Sequence, residues 1–307
     1  MDAPRPHYGM LAFLFAVSAL AAILFLRENF ELNLAVSEEE RQLERVAKIL
    51  SEIPVEAKAL SVYDITAGRK IYGKNDEVPL PFASLAKTMT VSVALAEGGK
   101  EKNREVISIS AEALGQFGDY GLLLHEKWQT EDLARLTMIA SSNDGAHALG
   151  AAEKDFLKKI NMKAKKIGME HSFFLNFTGL DLEAGLPSAY SSALDANLLA
   201  SYAIRAWPEV FSVTTKPEIT LRSESGFEHT FKNTNIISGR IPNLLFSKTG
   251  FTELAGGNLS VVFVDQREHQ IAVTVLGSSF EGRFADVERI VEALYPVVDF
   301  GDAQSAP

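Results

Sequence analysis

Ser84 and Lys87 are the residues of this chain whose types and spacing could do chemistry together. They follow Pro81 and open an apolar run, residues 85–95, that is compatible with a helix. On a helix, side chains three positions apart share one face, so the lysine amine could reach the serine hydroxyl. A serine becomes a nucleophile when a neighbour takes its proton, which a neutral lysine can do. The competing interpretation is a serine N-cap followed by a surface lysine.

Two more short motifs follow in the chain, and each of them alone is common. They are Ser141, Ser142, Asn143 and then Lys248, Thr249, Gly250. The first by itself is typical of a polar loop and the second of a strand end. Together with Ser84 and Lys87, and in this order, they form a set that occurs in penicillin-binding proteins and class A β-lactamases.

The flanks of the three motifs extend this match over about residues 55–295. The chain resembles the low-molecular-mass penicillin-binding proteins of the D-alanyl-D-alanine carboxypeptidase type, a serine peptidase family that includes D,D-endopeptidases. The further matching residues are Pro81, Ala83, Leu85, Met89, Thr90, Asp132, Leu133, Asp144, Gly168, Met169, Phe174, Asn176, Gly179, Leu180, Asp181, Ser191, Ser192, Ala193, Asp195, Asn233, Thr234, Asn235, Phe251, Thr252, Ala255, Gly256, Asn258 and Leu259.

The resemblance implies a covalent mechanism on peptidoglycan stem peptides that end in D-Ala-D-Ala, with β-lactams as inhibitors. Ser84 would be acylated and Lys87 would accept its proton, which requires that the pKa of Lys87 fall from about 10.4 toward about 7. Burial and the charge of Lys248 would both lower that pKa. Ser141 would relay a proton to the departing amine. Asn143 would hydrogen-bond Lys87 or the peptide group of the substrate.

Substrate-binding roles follow from the same resemblance. Lys248 and Thr249 would bind the terminal carboxylate of the substrate. The backbone N–H groups of Ser84 and Phe251 would stabilise the oxyanion, and Gly250 would let the substrate backbone approach the strand. Arg283 would lie near the substrate carboxylate, the alternative being a surface arginine at a helix start.

Several departures keep alternative functions open. Thr234 stands where well-known carboxypeptidases of this type carry an arginine, and no counterpart of the family's β-rich C-terminal domain follows the last predicted helix. The second point is shared with endopeptidase members, so a D,D-endopeptidase that cleaves peptide crosslinks is one alternative. A class A-like β-lactamase is disfavoured because Glu170 precedes Asn176 by more residues than the pattern of those enzymes allows. A membrane-tethered peptidoglycan-binding protein without turnover is disfavoured by the intact Ser84 and Lys87.

Composition narrows the function classes further. With 47% hydrophobic residues in 307, the chain can bury a large core. Its net charge of −10 argues against nucleic acid as a partner. The absence of cysteine and the scattered histidines predict no metal site, and no cofactor is expected.

The N-terminal region predicts an exported protein. Residues 8–26 carry no charge and would span about 28 Å as a helix, close to the thickness of a bilayer core. A retained transmembrane anchor is favoured over a cleaved signal because the apolar run continues past Ala19, Leu20 and Ala21. The expected location is the bacterial cell membrane, single-pass, with the catalytic domain periplasmic or extracellular.

The pattern of the remaining chain predicts an α+β fold, an α/β sandwich of the penicillin-binding protein and β-lactamase-like transpeptidase type. An antiparallel sheet would combine strands from both chain ends, with a helical lobe inserted between them and one transmembrane helix ahead of them. Helices are predicted over residues 87–97, 130–139, 144–152, 153–167, 193–206 and 283–294. The predicted domains are a short tail (1–7), the anchor or signal (8–26), a helical linker (27–54), the D,D-peptidase catalytic domain (55–298) and a disordered tail (299–307).

Overall fold

The computed structural model describes residues 40–96, 105–182 and 185–297, together with a few isolated residues between 17 and 27. Two units are distinguished, residues 47–298 and a second unit made of residues 1–46 and 299–307. The predicted tails lie outside the described residues, as does most of the predicted anchor. Among the residues that are described, no helix is both long enough and apolar enough to cross a membrane.

A central antiparallel sheet combines strands from early and late in the chain. The strands are β1 (Ala59–Asp64), β2 (Arg69–Lys74), β3 (Leu80–Pro81), β4 (Val106–Ser108), β5 (Lys127–Gln129), β6 (Phe173–Phe174), β7 (Ala189–Ser191), β8 (Glu218–Arg222), β9 (Glu228–Lys232), β10 (Leu244–Thr252), β11 (Gly256–Val264) and β12 (Gln270–Ser278). The central sheet has five strands in the order β10, β11, β12, β1, β2. Strands β1 and β2 pair antiparallel as a hairpin.

Helices precede the first strand, lie between the strands and follow the last strand. They are α1 (residues 40–52), α2 (Ala86–Ala96), α3 (Ala111–Leu114), α4 (Thr130–Ile139), α5 (Asn143–Ala151), α6 (Phe156–Lys166), α7 (Ala193–Ala206), α8 (Pro208–Phe211) and α9 (Gly282–Val297). The 3-10 turns are Ala83–Leu85 and Ser212–Thr215. A mixed α and β fold with an inserted helical lobe is therefore observed.

The middle strands of the sheet are buried on both faces because helices cover both. Side chains alternate along a strand, so Ala272, Thr274 and Leu276 of β12 share one face. On that face the Thr274 hydroxyl donates to Asn197 of α7 at 2.7 Å. The helix α9 packs against β11 and β12 as well. Strands that are covered on both faces have nearly continuous apolar sequences, and β11 and β12 show this pattern.

Helix α2 runs through the interior of the fold. It packs against α4, α5, α6 and α7, and nearly every one of its residues is buried. A helix that is apolar all round is expected to lie inside a domain. The consequence is that Lys87, in its first turn, is carried into the interior together with Met89 and Val91.

Some elements follow the sequence prediction closely, and others were not predicted. Helices α4 and α7 begin and end at the predicted residues, whereas α6 begins at Phe156 and not at Glu153. The two- and three-residue strands β3, β6 and β7 are too short to show an alternating pattern. They pair in the order β3, β7, β6 and hold the chain just before Ser84.

Candidate active site

The Ser84–Lys87 pair is formed at the start of α2. Ser84 lies in the 3-10 turn Ala83–Leu85, half-buried, and Lys87 is in the first turn of the helix. Ser84 Oγ and Lys87 Nζ are 2.8 Å apart, a hydrogen-bond distance. Lys87 has no exposed surface, and the N-cap position of the turn is Phe82. The interpretation of a capping serine with a surface lysine is therefore wrong.

Burial changes the proton affinity of Lys87. Desolvation lowers the pKa of this amine from its ordinary value to about 7, because water no longer stabilises the ammonium form. The Thr178 carbonyl accepts a hydrogen bond from Lys87 Nζ at 2.7 Å. A neutral amine that donates to Thr178 can keep its lone pair for the hydrogen of Ser84 Oγ.

The turn that carries Ser84 is fixed to the sheet from behind. Asn258 on β11 donates from Nδ2 to the carbonyls of Pro81 and Phe82 at 3.0 and 3.2 Å. Its Oδ1 accepts from the Gly277 N–H at 2.8 Å. Ala83 adopts a left-handed φ of 49°, a conformation that non-glycine residues rarely take and that is common where function imposes it.

A turn in the loop before β7 delivers the Thr178 carbonyl to Lys87. Asn176 Oδ1 accepts from the N–H groups of Thr178 and Gly179 at 3.2 and 2.8 Å, and Nδ2 donates to the Leu180 carbonyl. Gly179 has a φ of 78°, and a Cβ there would lie 2.0 Å from the Ala83 carbonyl oxygen. Thr178 was not predicted as a site residue, because a backbone acceptor leaves no side-chain signal in the sequence. The Asn-x-x-Gly spacing, typical of a turn, is the feature of the sequence that could have indicated it.

The second motif, Ser141 to Asn143, contacts the third motif, Lys248 to Gly250, in a cleft next to the Ser84–Lys87 pair. Ser142 caps α5, its Oγ accepting from the Gly145 N–H at 3.0 Å. Ser141, just before it, has a left-handed φ of 57° and its Oγ accepts from Lys248 Nζ at 2.7 Å. Lys248 therefore contacts a residue 107 positions earlier in the chain.

Lys248 is held inside the cleft and not at its mouth. Lys248 is 1% exposed, and its Nζ also donates to the backbone carbonyl of the next residue, Thr249, at 2.8 Å. Burial, and then the charges of Lys87 and Arg283, lower its pKa well below the ordinary value. The charge of Lys87 thus favours the neutral form of Lys248, whereas burial is the cause of the lowered pKa of Lys87.

Asn143 forms other hydrogen bonds than the one expected with Lys87. Its Nδ2 donates to the Phe117 carbonyl at 2.6 Å and lies 3.1 Å from the Tyr120 hydroxyl. Its Oδ1 is buried and has no hydrogen-bond partner among the described residues. The expected hydrogen bond to Lys87 is thus not formed here, which leaves the substrate's peptide group as the expected partner.

The strand β10 carries the third motif along an edge of the sheet. Thr249 Oγ1 donates to Thr234 Oγ1 at 2.7 Å, so the residue that replaces the family arginine lies beside the motif. A Cβ on Gly250 would lie 2.9 Å from Leu85 Cδ1, so the missing side chain makes room for the turn that bears Ser84. The expected approach of a substrate backbone to Gly250 stays a prediction.

Arg283 is buried behind β10. It is 4% exposed, so the surface-arginine alternative is wrong. Its Nη1 donates to the Gly250 carbonyl at 2.8 Å, and its guanidinium lies 4.4 and 4.7 Å from the ring centres of Phe280 and Phe284. Burial lowers its pKa to about 10, which leaves it charged at neutral pH.

The open side of this cleft is aromatic. Phe251, which follows Gly250, is 43% exposed and meets Phe280 edge to face with ring centres 5.0 Å apart. Within the part of the chain that the structure describes, no group of three or more histidine or acidic side chains could hold a metal ion. The residues that meet in the cleft are instead hydroxyls, amines and an amide.

A sheet built from both chain ends, an inserted helical lobe and a serine–lysine pair between them define the penicillin-binding class of active-site serine folds. Residues 46–279 match the model of the D-alanyl-D-alanine carboxypeptidase family. The chain belongs to that family.

Curated relatives carry two kinds of name. The chain is 29% identical to the D-alanyl-D-alanine carboxypeptidase DacF of Bacillus subtilis over 252 residues, which are 80% of this chain and 64% of that protein. It is 27% identical to the D-alanyl-D-alanine endopeptidase of Escherichia coli K12, over 80% of this chain and 79% of that protein. The match thus spans slightly less than two thirds of the carboxypeptidase and about four fifths of the endopeptidase.

Solved structures show the same fold. Penicillin-binding protein D2 of Listeria monocytogenes, in its ampicillin-bound form, matches with a TM-score of 0.69 and 31% identity, over 79% of this chain and 98% of that one. A DD-transpeptidase of Streptomyces K15 matches with a TM-score of 0.70 and 22% identity over the same shares. The second likeness supports the fold alone.

Proposed function

We propose that this chain is a serine-type D-alanyl-D-alanine carboxypeptidase that removes the terminal D-alanine of peptidoglycan stem peptides through an acyl-enzyme on Ser84. The observation that carries the proposal is the 2.8 Å contact between Ser84 Oγ and a fully buried Lys87 whose pKa is about 7. An amine with that pKa is half neutral at physiological pH and can act as the general base.

Acylation begins with the transfer of the Ser84 hydroxyl proton to Lys87 Nζ. The Ser84 oxygen then bonds the D-alanyl carbonyl carbon, and the N–H groups of Ser84 and Phe251 stabilise the oxyanion. The bond from that carbon to the departing D-alanine nitrogen breaks. The proton that Lys87 took passes through the Ser141 hydroxyl, which lies 2.7 Å from Lys248 Nζ, to the departing amine, and Lys87 becomes neutral.

Deacylation regenerates the enzyme. Lys87, neutral again, takes a proton from a water molecule that attacks the ester carbon. The bond from that carbon to Ser84 Oγ then breaks, and Lys87 Nζ returns the proton to the serine oxygen. Asn143, at the start of α5, hydrogen-bonds the peptide group of the substrate. Lys248, Thr249 and Arg283 provide the positive charge and the hydroxyl that attract the substrate carboxylate.

The activity is tested with a soluble pentapeptide ending in D-Ala-D-Ala, using the wild type and Ser84→Ala. We expect D-alanine release by the wild type and loss of at least about a thousandfold in the variant. Equal release by both proteins would show that Ser84 is not the nucleophile.

Cleavage of crosslinks is the second candidate function. The neutral Thr234 beside Thr249 supports it, since the family arginine is absent where a free terminal carboxylate would bind. A relative named D-alanyl-D-alanine endopeptidase, from Escherichia coli K12, is consistent with this activity. Digestion of purified monomeric and crosslinked muropeptides side by side separates the two, because splitting of the dimer defines the endopeptidase.

A labelled penicillin distinguishes the β-lactamase and binding-protein alternatives. We expect a long-lived adduct, because Glu170 is exposed and the base that β-lactamases use for rapid deacylation has no counterpart in the sequence pattern. Rapid turnover of penicillin would favour the β-lactamase. Absence of any adduct would favour a binding protein without turnover.

We also propose that residues 8–26 anchor the chain in the bacterial cell membrane, with the catalytic domain on its outer side. The uncharged, apolar composition of that segment supports this location, as does a substrate that lies outside the membrane. Retention of the full chain in carbonate-washed membranes is the expected result. Release of a shortened chain into the medium would indicate a cleaved signal instead.

A further inference from the structure

Two aromatic rings contact each other at the open side of the cleft and stay exposed. Phe251 follows Gly250 on β10, and Phe280 lies between β12 and α9. Their ring centres are 5.0 Å apart and their planes are nearly perpendicular, yet Phe251 is 43% exposed and Phe280 is 50% exposed. An aromatic pair of this kind leaves apolar surface that a ligand can cover.

Arg283 fixes the position of Phe280 beside the strand. The Arg283 guanidinium lies 4.4 Å from the centre of the Phe280 ring, and its Nη1 donates to the Gly250 carbonyl at 2.8 Å. Because Arg283 is 4% exposed, water screens the attraction between the cation and the ring only weakly. Phe280 is thus held next to the residue that precedes Phe251.

The aromatic pair lies close to the turn that carries Ser84. Gly250 is so near to this turn that a Cβ there would lie 3.2 Å from the Phe82 carbonyl oxygen and 3.3 Å from Ala83 Cβ. Phe251 is the next residue on β10. Its exposed ring therefore lies within reach of a substrate that is bound at Ser84.

Strand geometry indicates which part of the substrate would meet the rings. Side chains two positions apart on a strand share one face, so Phe251 is on the same face of β10 as Thr249. In the proposed function Thr249 binds the terminal carboxylate, which belongs to the residue that leaves. Two positions along a strand are about 7 Å apart, a distance that a side chain of several methylene groups can bridge. The rings therefore lie next to the leaving residue.

We propose that Phe251 and Phe280 form a contact surface for the side chain of the leaving residue and favour a long apolar side chain there. The inference rests on the proposed D,D-peptidase function. The side chain of D-alanine is one methyl group and covers little of the two rings. A leaving residue with additional methylene groups covers more of them, and each methylene group removed from water favours the transition state further.

The test uses two soluble pentapeptides that differ only in the last residue, D-alanine in one and D-norleucine in the other. The measured quantity is the ratio of their kcat/KM values, D-norleucine over D-alanine. A change in the catalytic groups, which both peptides share, cancels in this ratio. We expect Phe251→Ala and Phe280→Ala each to lower the ratio about 4-fold, the effect of one methylene group that is no longer buried.

Phe227→Ala is the matched control. Phe227 is 48% exposed and lies in the turn between β8 and β9, so its loss should leave the ratio at the wild-type value. An unchanged or increased ratio in either Phe251→Ala or Phe280→Ala would overturn the proposal, and so would an equal fall in Phe227→Ala.

The wild type separates this inference from the proposed function. Release of D-alanine without any release of D-norleucine would overturn the inference alone, because the site would then not accept the longer side chain. If the wild type releases neither residue, the proposed function fails and this inference with it.

Discussion

At the scale of single residues, the cleft places several basic groups out of water. Lys87 and Lys248 have essentially no exposed surface, and Arg283 is 4% exposed. Arg283, with a pKa of about 10, stays charged at neutral pH, and its charge is opposite in sign to the net charge of −10 of the whole protein. A positive charge at this position favours an anionic substrate.

The rate of acylation should depend on pH through Lys87. The amine accepts the Ser84 proton only when neutral, and its pKa is about 7, so the neutral fraction increases as the pH rises through that value. We expect the second-order rate constant for acylation by a labelled penicillin to rise about tenfold from pH 6 to pH 8 and to level off above it. A flat profile, or one that falls with pH, would contradict this role.

Asp144 provides the control for that profile, since it is the neighbouring group that titrates nearest to the same range. Burial first, and then the charge of Asp119, raise the pKa of Asp144 to about 6. In Asp144→Asn the midpoint of the acylation profile should stay near 7. A midpoint that disappears in this variant would assign the titration to Asp144 and not to Lys87.

At the scale of elements, the turn of residues 176–180 is locked against the turn that carries Ser84. Gly179 is left-handed and lies so close to Ala83 that no side chain fits between them. Phe177 and Thr178 give their carbonyls to Thr90 Oγ1 and Lys87 Nζ, both at 2.7 Å. The base and the nucleophile are therefore positioned by a segment about ninety residues away in the chain.

Substituting Gly179 by alanine should separate these two turns. The new Cβ would lie 2.0 Å from the Ala83 carbonyl oxygen, so the backbone has to move. We expect a loss of more than about 2 kcal/mol in the free energy of unfolding and a large fall in acylation rate. Thermal denaturation and penicillin labelling measure the two effects.

Gly185→Ala is the matched control in the same loop. Gly185 is also left-handed, with a φ of 87°, but a Cβ there would meet nothing within 4 Å. It should lose only about 1 kcal/mol from backbone strain and acylate normally. Similar losses in both variants would show that strain, and not the contact with Ala83, explains the effect at Gly179.

The sequence was sufficient to predict the elements with a strong hydrophobic periodicity and the site residues with reactive side chains. Helices α4 and α7, a sheet with strands from early and late in the chain, and the pairing of Ser84 with Lys87 fall in this group. The Thr178 carbonyl, the left-handed Ser141 and the loop acceptors of Asn143 could not be predicted, because backbone groups and loop conformations depend on packing between distant segments.

At the scale of the whole molecule, the site lies entirely within the unit of residues 47–298. The residues that meet in the cleft come from both ends of this unit, Ser84 and Lys87 near its start and Arg283 near its end. A chain without residues 1–39 should therefore fold and react with penicillin at the rate of the full chain. It should also be recovered in the soluble fraction, whereas the full chain should sediment with membranes.

The reaction with penicillin and the sedimentation with membranes test two different claims about the truncated chain. A soluble but unreactive truncated chain would show that the site needs residues before 40. A truncated chain that still sediments with membranes would contradict an anchor in residues 8–26.

The central claim is that Ser84, activated by a neutral Lys87, forms a covalent acyl-enzyme. Its most direct test is mass spectrometry of the intact protein and of its proteolytic peptides after incubation with benzylpenicillin at pH 8. We predict one adduct per chain, located on the peptide that contains Ser84 and absent from Ser84→Ala. No adduct on the wild type, or an adduct on a different residue, would contradict the account.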